Sequence, residues 1–149
     1  MRRAGPSAAE VARRDLEHLL ASLPPAPFVD GLGLRFTALG EGWAESEITT
    51  APRLTQAQGL VHAGVLATMA DHTAGAAAST TAPDGKVVVT AEFKLNLLRP
   101  ATAPMLSCRA EVVKAGRALT VVEARIHAGD DGAEPKLLAL AVLTMSVIG

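Results

Sequence analysis

One carboxylate, Asp71, lies inside a segment whose other residues are almost all small or apolar, from Ala63-Gly64-Val65-Leu66-Ala67 before it to Ala74-Gly75-Ala76-Ala77-Ala78 after it. Burying a lone carboxylate is costly unless it is paired or hydrogen-bonded. Its retention here points to chemistry, as a nucleophile or as a general base acting on a water. The other reading is a solvent-facing Asp at a helix edge beside His72. Nine residues earlier, Gly59-Leu60-Val61-His62-Ala63-Gly64 places a single histidine in a glycine-flanked turn that opens the same segment. A helix starting there leaves free N–H groups and a positive dipole end, both of which favour negative charge. Gln56, six residues before the histidine, adds an amide that can hold a water or a carbonyl, or simply be solvated.

Other chemistries find no support. His62, His72 and Asp71 lack metal-site spacing, so no metal is expected. A single cysteine, Cys108, excludes an internal disulfide and a cysteine-based zinc site. Its place in an apolar strand suits an inert thiol better than a nucleophile. There is neither a Gly-x-Ser-x-Gly elbow nor a Gly-x-x-x-x-Gly-Lys phosphate loop. Net charge is -1, without a basic block, which argues against nucleic acid as a partner. Aromatic residues make up only 3% of the chain, so base-stacking platforms are not expected.

The elements that must position these residues follow from patterning. A length of 149 residues with 49% apolar and 19% charged content fits one domain with a substantial core. Ser7-Ala8-Ala9-Glu10 is a capping-box pattern. It predicts a helix to about Ser22 with Val11, Leu16, Leu19, Leu20 and Leu23 as its stripe, ended by Pro24, Pro25 and Pro27. Residues 1–26 are therefore expected to be an N-terminal helix and linker, and 27–149 a single domain. Leu32 to Leu39 and Trp43 to Thr50 read as a hairpin. Ala63 to Ser79 reads as a long alanine-rich helix, buried on most sides because it is apolar nearly all round. Gly64, Ala67, Asp71, Ala74, Gly75 and Ala78 share one stripe by spacing; apart from Asp71 all are small, which lets a backbone or a ligand come close.

Val87 to Leu97 alternates. Val87, Val89, Ala91, Phe93, Leu95 and Leu97 are expected on one face and Thr90, Glu92, Lys94 and Asn96 on the other. Met105 to Lys114, Arg117 to Ala128 and Lys136 to Ile148 supply three more strands, with turns at Ala115-Gly116 and Gly129-Asp130-Asp131-Gly132. The nearly continuous apolar run Leu137 to Leu143 predicts a central strand or one buried on both faces. One long helix cannot cover both faces of a parallel sheet, so an antiparallel sheet with the helix on one face is expected. No signal peptide is visible, and the longest apolar run, Leu137 to Val147, is too short to span a bilayer. A soluble protein without a membrane partner is expected, and the lone thiol suits a reducing cytoplasm.

This order of elements, with the His-x-Gly turn opening the long helix, resembles the hotdog fold, and within it the PaaI-type acyl-CoA thioesterases. The residues that carry the resemblance are Gln56, Gly59, His62-Ala63-Gly64, Asp71 and Thr90-Ala91-Glu92-Phe93-Lys94-Leu95-Asn96-Leu97-Leu98-Arg99-Pro100. It covers about Pro27 to the C-terminus. The family motif often reads His-Gly-Gly where this chain has His62-Ala63-Gly64, and often has Asn where this chain has Gln56, one methylene longer.

The resemblance implies an α+β hotdog fold: a long central helix wrapped by a curled antiparallel sheet of about six strands, here with an extra N-terminal helix. It further implies a homodimer at minimum, with sheets joined edge to edge and active sites at the interface, and dimers often pairing into a homotetramer. The implied activity is hydrolysis of an acyl- or aryl-acyl-CoA without metal or organic cofactor. Asp71 would then attack the thioester carbonyl or activate the water that does. Ala63 would offer its backbone N–H to the developing oxyanion, or be an ordinary first helical turn. His62 would orient the loop or contact the thioester, and Gln56 would hold the water or the carbonyl. Thr90 stands where the family often has a hydroxyl near the acyl group, although its phase groups it with Glu92 and Lys94. Gly64 would admit substrate closely, and Arg99, Lys114 and Arg117 are candidates to pair with CoA phosphates. Two other functions compete. A non-catalytic acyl-CoA sensor would need an effector segment, and Met1 to Ser22 is too small for a helix-turn-helix. A hotdog dehydratase would carry a proline-rich histidine motif missing here.

Overall fold

In the computed structural model, residues 17–18, 20–21, 25–129 and 135–149 are described. The expected capping box at Ser7 and most of the following helical stripe lie outside them, as do residues 130–132 of the expected last turn. The elements run α1 (Pro27–Leu32), β1 (Leu34–Gly40), β2 (Trp43–Thr49), a 3-10 turn (Pro52–Leu54), α2 (Ala63–Ser79), β3 (Val87–Leu97), β4 (Met105–Ala115), β5 (Leu119–Ala128) and β6 (Leu137–Ile148). The strands form one sheet in the order β1-β2-β4-β5-β6-β3, every neighbour antiparallel. The sheet curls around α2 in the expected hotdog arrangement.

Helix α1 departs from expectation. Pro27, expected to end a helix, instead occupies the first turn of one, where its missing N–H costs nothing. Gly33, at φ 77°, takes the left-handed conformation that closes the helix. This moves the start of β1 from Leu32 to Leu34.

Helix α2 has the expected bounds, and its alanines explain how it seats. Met69, Ala70, Ala74, Ala77 and Ala78 are fully buried against Ala44, Leu106, Ala110, Val122, Ala124, Leu143 and Met145 of the sheet. Ala74 and Ala78 therefore belong to the core, not to the open stripe. The accessible side of the helix runs instead through Gly64, Thr68, Asp71, His72, Gly75 and Ser79. Thr73 is buried and satisfied: its Oγ1 donates to the Met69 carbonyl at 2.6 Å. That leaves Ser46 Oγ of β2 to donate to Thr73 Oγ1, also at 2.6 Å.

Strand β6 lies between β5 and β3, the central option of the two expected. Only one of its faces is fully buried, because Ala139, Ala141, Leu143 and Met145 point into the core while Val142 is exposed. Strand β3 is an edge.

The largest correction concerns β3. Thr90 faces Met145 and Glu92 faces Thr144, leaving Ala91 as an extra residue in a bulge. A bulge reverses the alternation on either side of it. Phe93, Leu95 and Leu97 lie on the core-side face, paired with Leu143, Ala141 and Ala139, although Phe93 and Leu97 at this sheet edge stay exposed. Before the bulge, Val88 and Thr90 face inward, and Val87 and Val89 face out. The expected grouping of Thr90 with Glu92 and Lys94 is overturned.

Candidate active site

The bulge delivers Thr90 to Asp71. Thr90 Oγ1 donates to Asp71 Oδ1 at 2.6 Å, so the half-buried carboxylate has the hydrogen bond its setting demands. Both residues line a cleft of about 570 Å³ between α2, α1, β1 and β3, which also includes Phe36, His72, Gly75, Ser79 and Val88. The His72 ring lies against Phe36, centroid to centroid 5.2 Å, and borders the same cleft. Burial pushes the His72 imidazole below its ordinary pKa, against a smaller opposing pull from Asp71 and Asp30.

The turn before α2 builds a second feature. Gln56 N–H donates to the Leu60 carbonyl at 2.8 Å, and Gly59 N–H to the Gln56 carbonyl at 2.9 Å, with Gly59 at φ 75°. His62 is the N-cap of α2, and its Nδ1 accepts from Gly64 N–H at 2.9 Å. This bond commits the Gly64 N–H. A Cβ on Gly64 would come within 3.0 Å of that Nδ1, so glycine is what lets the ring fold over. Val65 N–H donates to the His62 carbonyl. Ala63 N–H alone in this first turn has no partner among the described residues. No non-glycine residue among those described has positive φ, so alanine fits where the family often has glycine. Gln56, Ala63 and Arg99 border one pocket of about 290 Å³.

The two features stand apart within one chain. Eight residues separate Ala63 from Asp71 on α2, about 12 Å of helix. Thr90 is level with Met145 and Thr120, near the Gly116 turn. Lys114 and Arg117 flank that turn, both exposed and unpaired among the described residues. Arg99 follows the opposite end of β3, where its Nη1 donates to the Leu137 carbonyl at 2.7 Å. The expected residues therefore form two groups: Asp71 and Thr90 toward the end that carries Lys114 and Arg117, and Gln56, His62, Ala63, Gly64 and Arg99 toward the other.

Among the described residues no cluster of three His, Cys, Asp or Glu side chains could hold a metal. No helix among them is long and apolar enough to cross a membrane. Cys108 is buried, and burial pushes its thiol up to about 12, which fits the inert role expected of it. Sequence reasoning gave no functional place to Phe36, His72 or Val88 beside Asp71. Residues on different strands and adjacent helix positions carry no local signal of convergence.

The element order and the curled antiparallel sheet around α2 define an α+β hotdog protein. The model of the thioesterase superfamily matches residues 58–134, and the chain belongs to that family. A thioesterase family protein from Silicibacter pomeroyi is 35% identical, with a TM-score of 0.79 over 95% of this chain and 98% of its own. A thioesterase from Haemophilus influenzae is 28% identical, with a TM-score of 0.75 over 99% of this chain and 94% of its own. The PaaI protein from the phenylacetic acid degradation operon of Escherichia coli, at 22% identity, shares the fold with a TM-score of 0.77 over 96% of this chain and 97% of its own.

Proposed function

We propose that this protein hydrolyses acyl-CoA thioesters at sites shared between two copies of the chain. The observation that carries this reading is the separation of a hydrogen-bonded carboxylate from an unclaimed helix N-terminal N–H by about 12 Å of one helix. A carbonyl under attack must lie about 3 Å from both the attacking group and the oxyanion donor, which one chain does not allow. The geometry favours a twofold partner joined along β3. That strand is an eleven-residue sheet edge without a second strand neighbour among the described residues, and Val87, Val89, Phe93 and Leu97 on it are exposed. Two chains related by such an axis present opposite ends to each other, so Asp71 of one meets Ala63 of the other twice over.

In this arrangement Asp71, held by Thr90, either attacks the thioester carbonyl or takes a proton from the water that does. The carbonyl oxygen becomes an oxyanion facing the Ala63 N–H and the positive end of α2. Its collapse breaks the carbon–sulfur bond and the CoA thiolate leaves. Where Asp71 took the proton of the water, it returns that proton to the thiolate. Where Asp71 attacked, the thiolate takes its proton from solvent, and a water then hydrolyses the acyl–Asp71 anhydride to free acid and carboxylate. Gln56 orients the carbonyl or the water, His62 fixes the turn, and Arg99, Lys114 and Arg117 border the routes open to CoA phosphates.

The test is release of free thiol from acetyl-, hexanoyl-, palmitoyl-, benzoyl- and phenylacetyl-CoA by wild type and Asp71→Ala. Turnover that drops at least about a hundredfold in a folded Asp71→Ala protein supports the reading. Binding of acyl-CoA without turnover by wild type replaces it with the non-catalytic alternative.

A further inference from the structure

We propose that Gly75 is a specificity-determining residue that admits a medium-length acyl chain into the cleft beyond Asp71. The inference rests on the thioesterase reading above and names the substrate class of that same site. The cleft of about 570 Å³ does not stop at Asp71; it continues along α2 past Gly75 to Ser79, between Phe36 of β1 and Val88 of β3, with Val29 of α1 on its wall. Gly75 lies one helical turn beyond Asp71. Among the described residues, a Cβ built there meets no heavy atom within 4 Å, and Gly75 borders the cleft itself.

Nothing in the fold requires glycine at this position. It is not among the positive-φ glycines, and it lies inside a helix, where glycine weakens the structure relative to alanine. The Ser79 hydroxyl donates to the Gly75 carbonyl, a backbone contact that any residue can accept. An absent side chain therefore gains the fold nothing and gains the cleft its passage.

The length of the passage sets the ligand. Asp71 to Ser79 spans eight residues, about 12 Å of helix. An extended chain advances about 1.2 Å per bond, by comparison with extended backbone. The cleft thus accommodates acyl chains on the order of eight to ten carbons. Phe36 and Val88 offer them apolar contact, and among the described residues the lining carries no Lys or Arg to hold a charged terminus.

The test compares wild type, Gly75→Leu and Gly75→Ala for kcat/KM on acetyl-CoA and decanoyl-CoA, with circular dichroism and size-exclusion chromatography confirming fold and assembly. Wild type is expected to prefer decanoyl-CoA. Gly75→Leu is expected to lose at least about thirtyfold on decanoyl-CoA while staying within about threefold on acetyl-CoA. Gly75→Ala, which favours the helix and adds only a methyl, is expected to shift preference in the same direction by a smaller factor. It decides the matter if the leucine variant fails to fold. Equal losses on both substrates, or no change on either, overturn the role of Gly75 while leaving the thioesterase reading in place. Failure of wild type to cleave any acyl-CoA overturns that reading first and this inference with it.

Discussion

Replacing Ala63 with proline removes one backbone N–H and almost nothing else. Ala63 is the first residue of α2, the position at which proline is best tolerated because its fixed φ suits the helix and its N–H is an orphan. The preceding residue is compatible too. His62 has φ -63° and ψ 139°, within the extended region that a residue before proline prefers. No hydrogen bond among the described residues is lost, since Ala63 N–H has no partner, and the side chain is exposed. Stability of Ala63→Pro should therefore stay within about 0.5 kcal/mol of wild type. Loss of one oxyanion donor should lower kcat by about a hundredfold to a thousandfold, or roughly 3–4 kcal/mol of transition-state stabilisation. The assay is steady-state thiol release from the best acyl-CoA substrate, with Ala63→Gly, which keeps the N–H, as the control. A folded Ala63→Pro protein with kcat within threefold of wild type would refute the oxyanion assignment.

Three further outcomes follow from named contacts. Thr90→Val keeps the shape of the side chain but removes the donor 2.6 Å from Asp71; kcat should fall about tenfold or more with KM little changed, and Thr90→Ser should restore most of it. Thr73→Val strands the buried Ser46 hydroxyl and should cost about 1–3 kcal/mol in urea unfolding at fixed protein concentration. The Ser46→Ala/Thr73→Val pair should cost less than the sum of its single variants. The third outcome concerns pH. His72 is held below its unfolded pKa of about 6.5, so the unfolded chain binds its proton first as pH falls. The stability contributed by neutral His72 is complete above that value and is lost as pH drops through the folded pKa. His127 is lowered as well, by burial and by Arg125. Melting temperature should therefore fall from pH 7 to pH 5, and fall less steeply in His72→Phe. An identical slope in the two proteins would contradict the buried-imidazole account.

The parts of this molecule that sequence made legible are those with a local physical signature. Helix α2 announced itself by alanine content and by the glycine-flanked turn that opens it, and Asp71 by being a carboxylate where none belongs. The antiparallel sheet followed from one long helix and alternating strands. Thr90 was a candidate, but its inward facing escaped because a one-residue bulge leaves no mark in Thr90-Ala91-Glu92, which reads as unbroken alternation; only pairing with β6 reveals the reversal. Helix α1 escaped because proline ends one helix and begins another by the same chemistry, and only the left-handed Gly33 tells which. Ala74 and Ala78 shared the spacing of the open stripe, yet they face the core, since small residues serve close helix–sheet packing as well as ligand approach. The distance between Asp71 and Ala63 was countable along the helix from the start, whereas the two separate pockets at their ends required the folded sheet.

The sharing of each site between two chains can be tested by mixing inactive subunits. Asp71→Asn and Ala63→Pro proteins, each inactive alone, are unfolded together, refolded at equal concentration and assayed for thiol release. If Asp71 of one chain works with Ala63 of the other, each hybrid dimer regains one intact site, and the mixture should recover about a quarter of wild-type activity. If the mixture stays as inactive as its parents while hybrid dimers are demonstrably present, the two groups do not act across the interface, and the account of a shared thioesterase site is wrong.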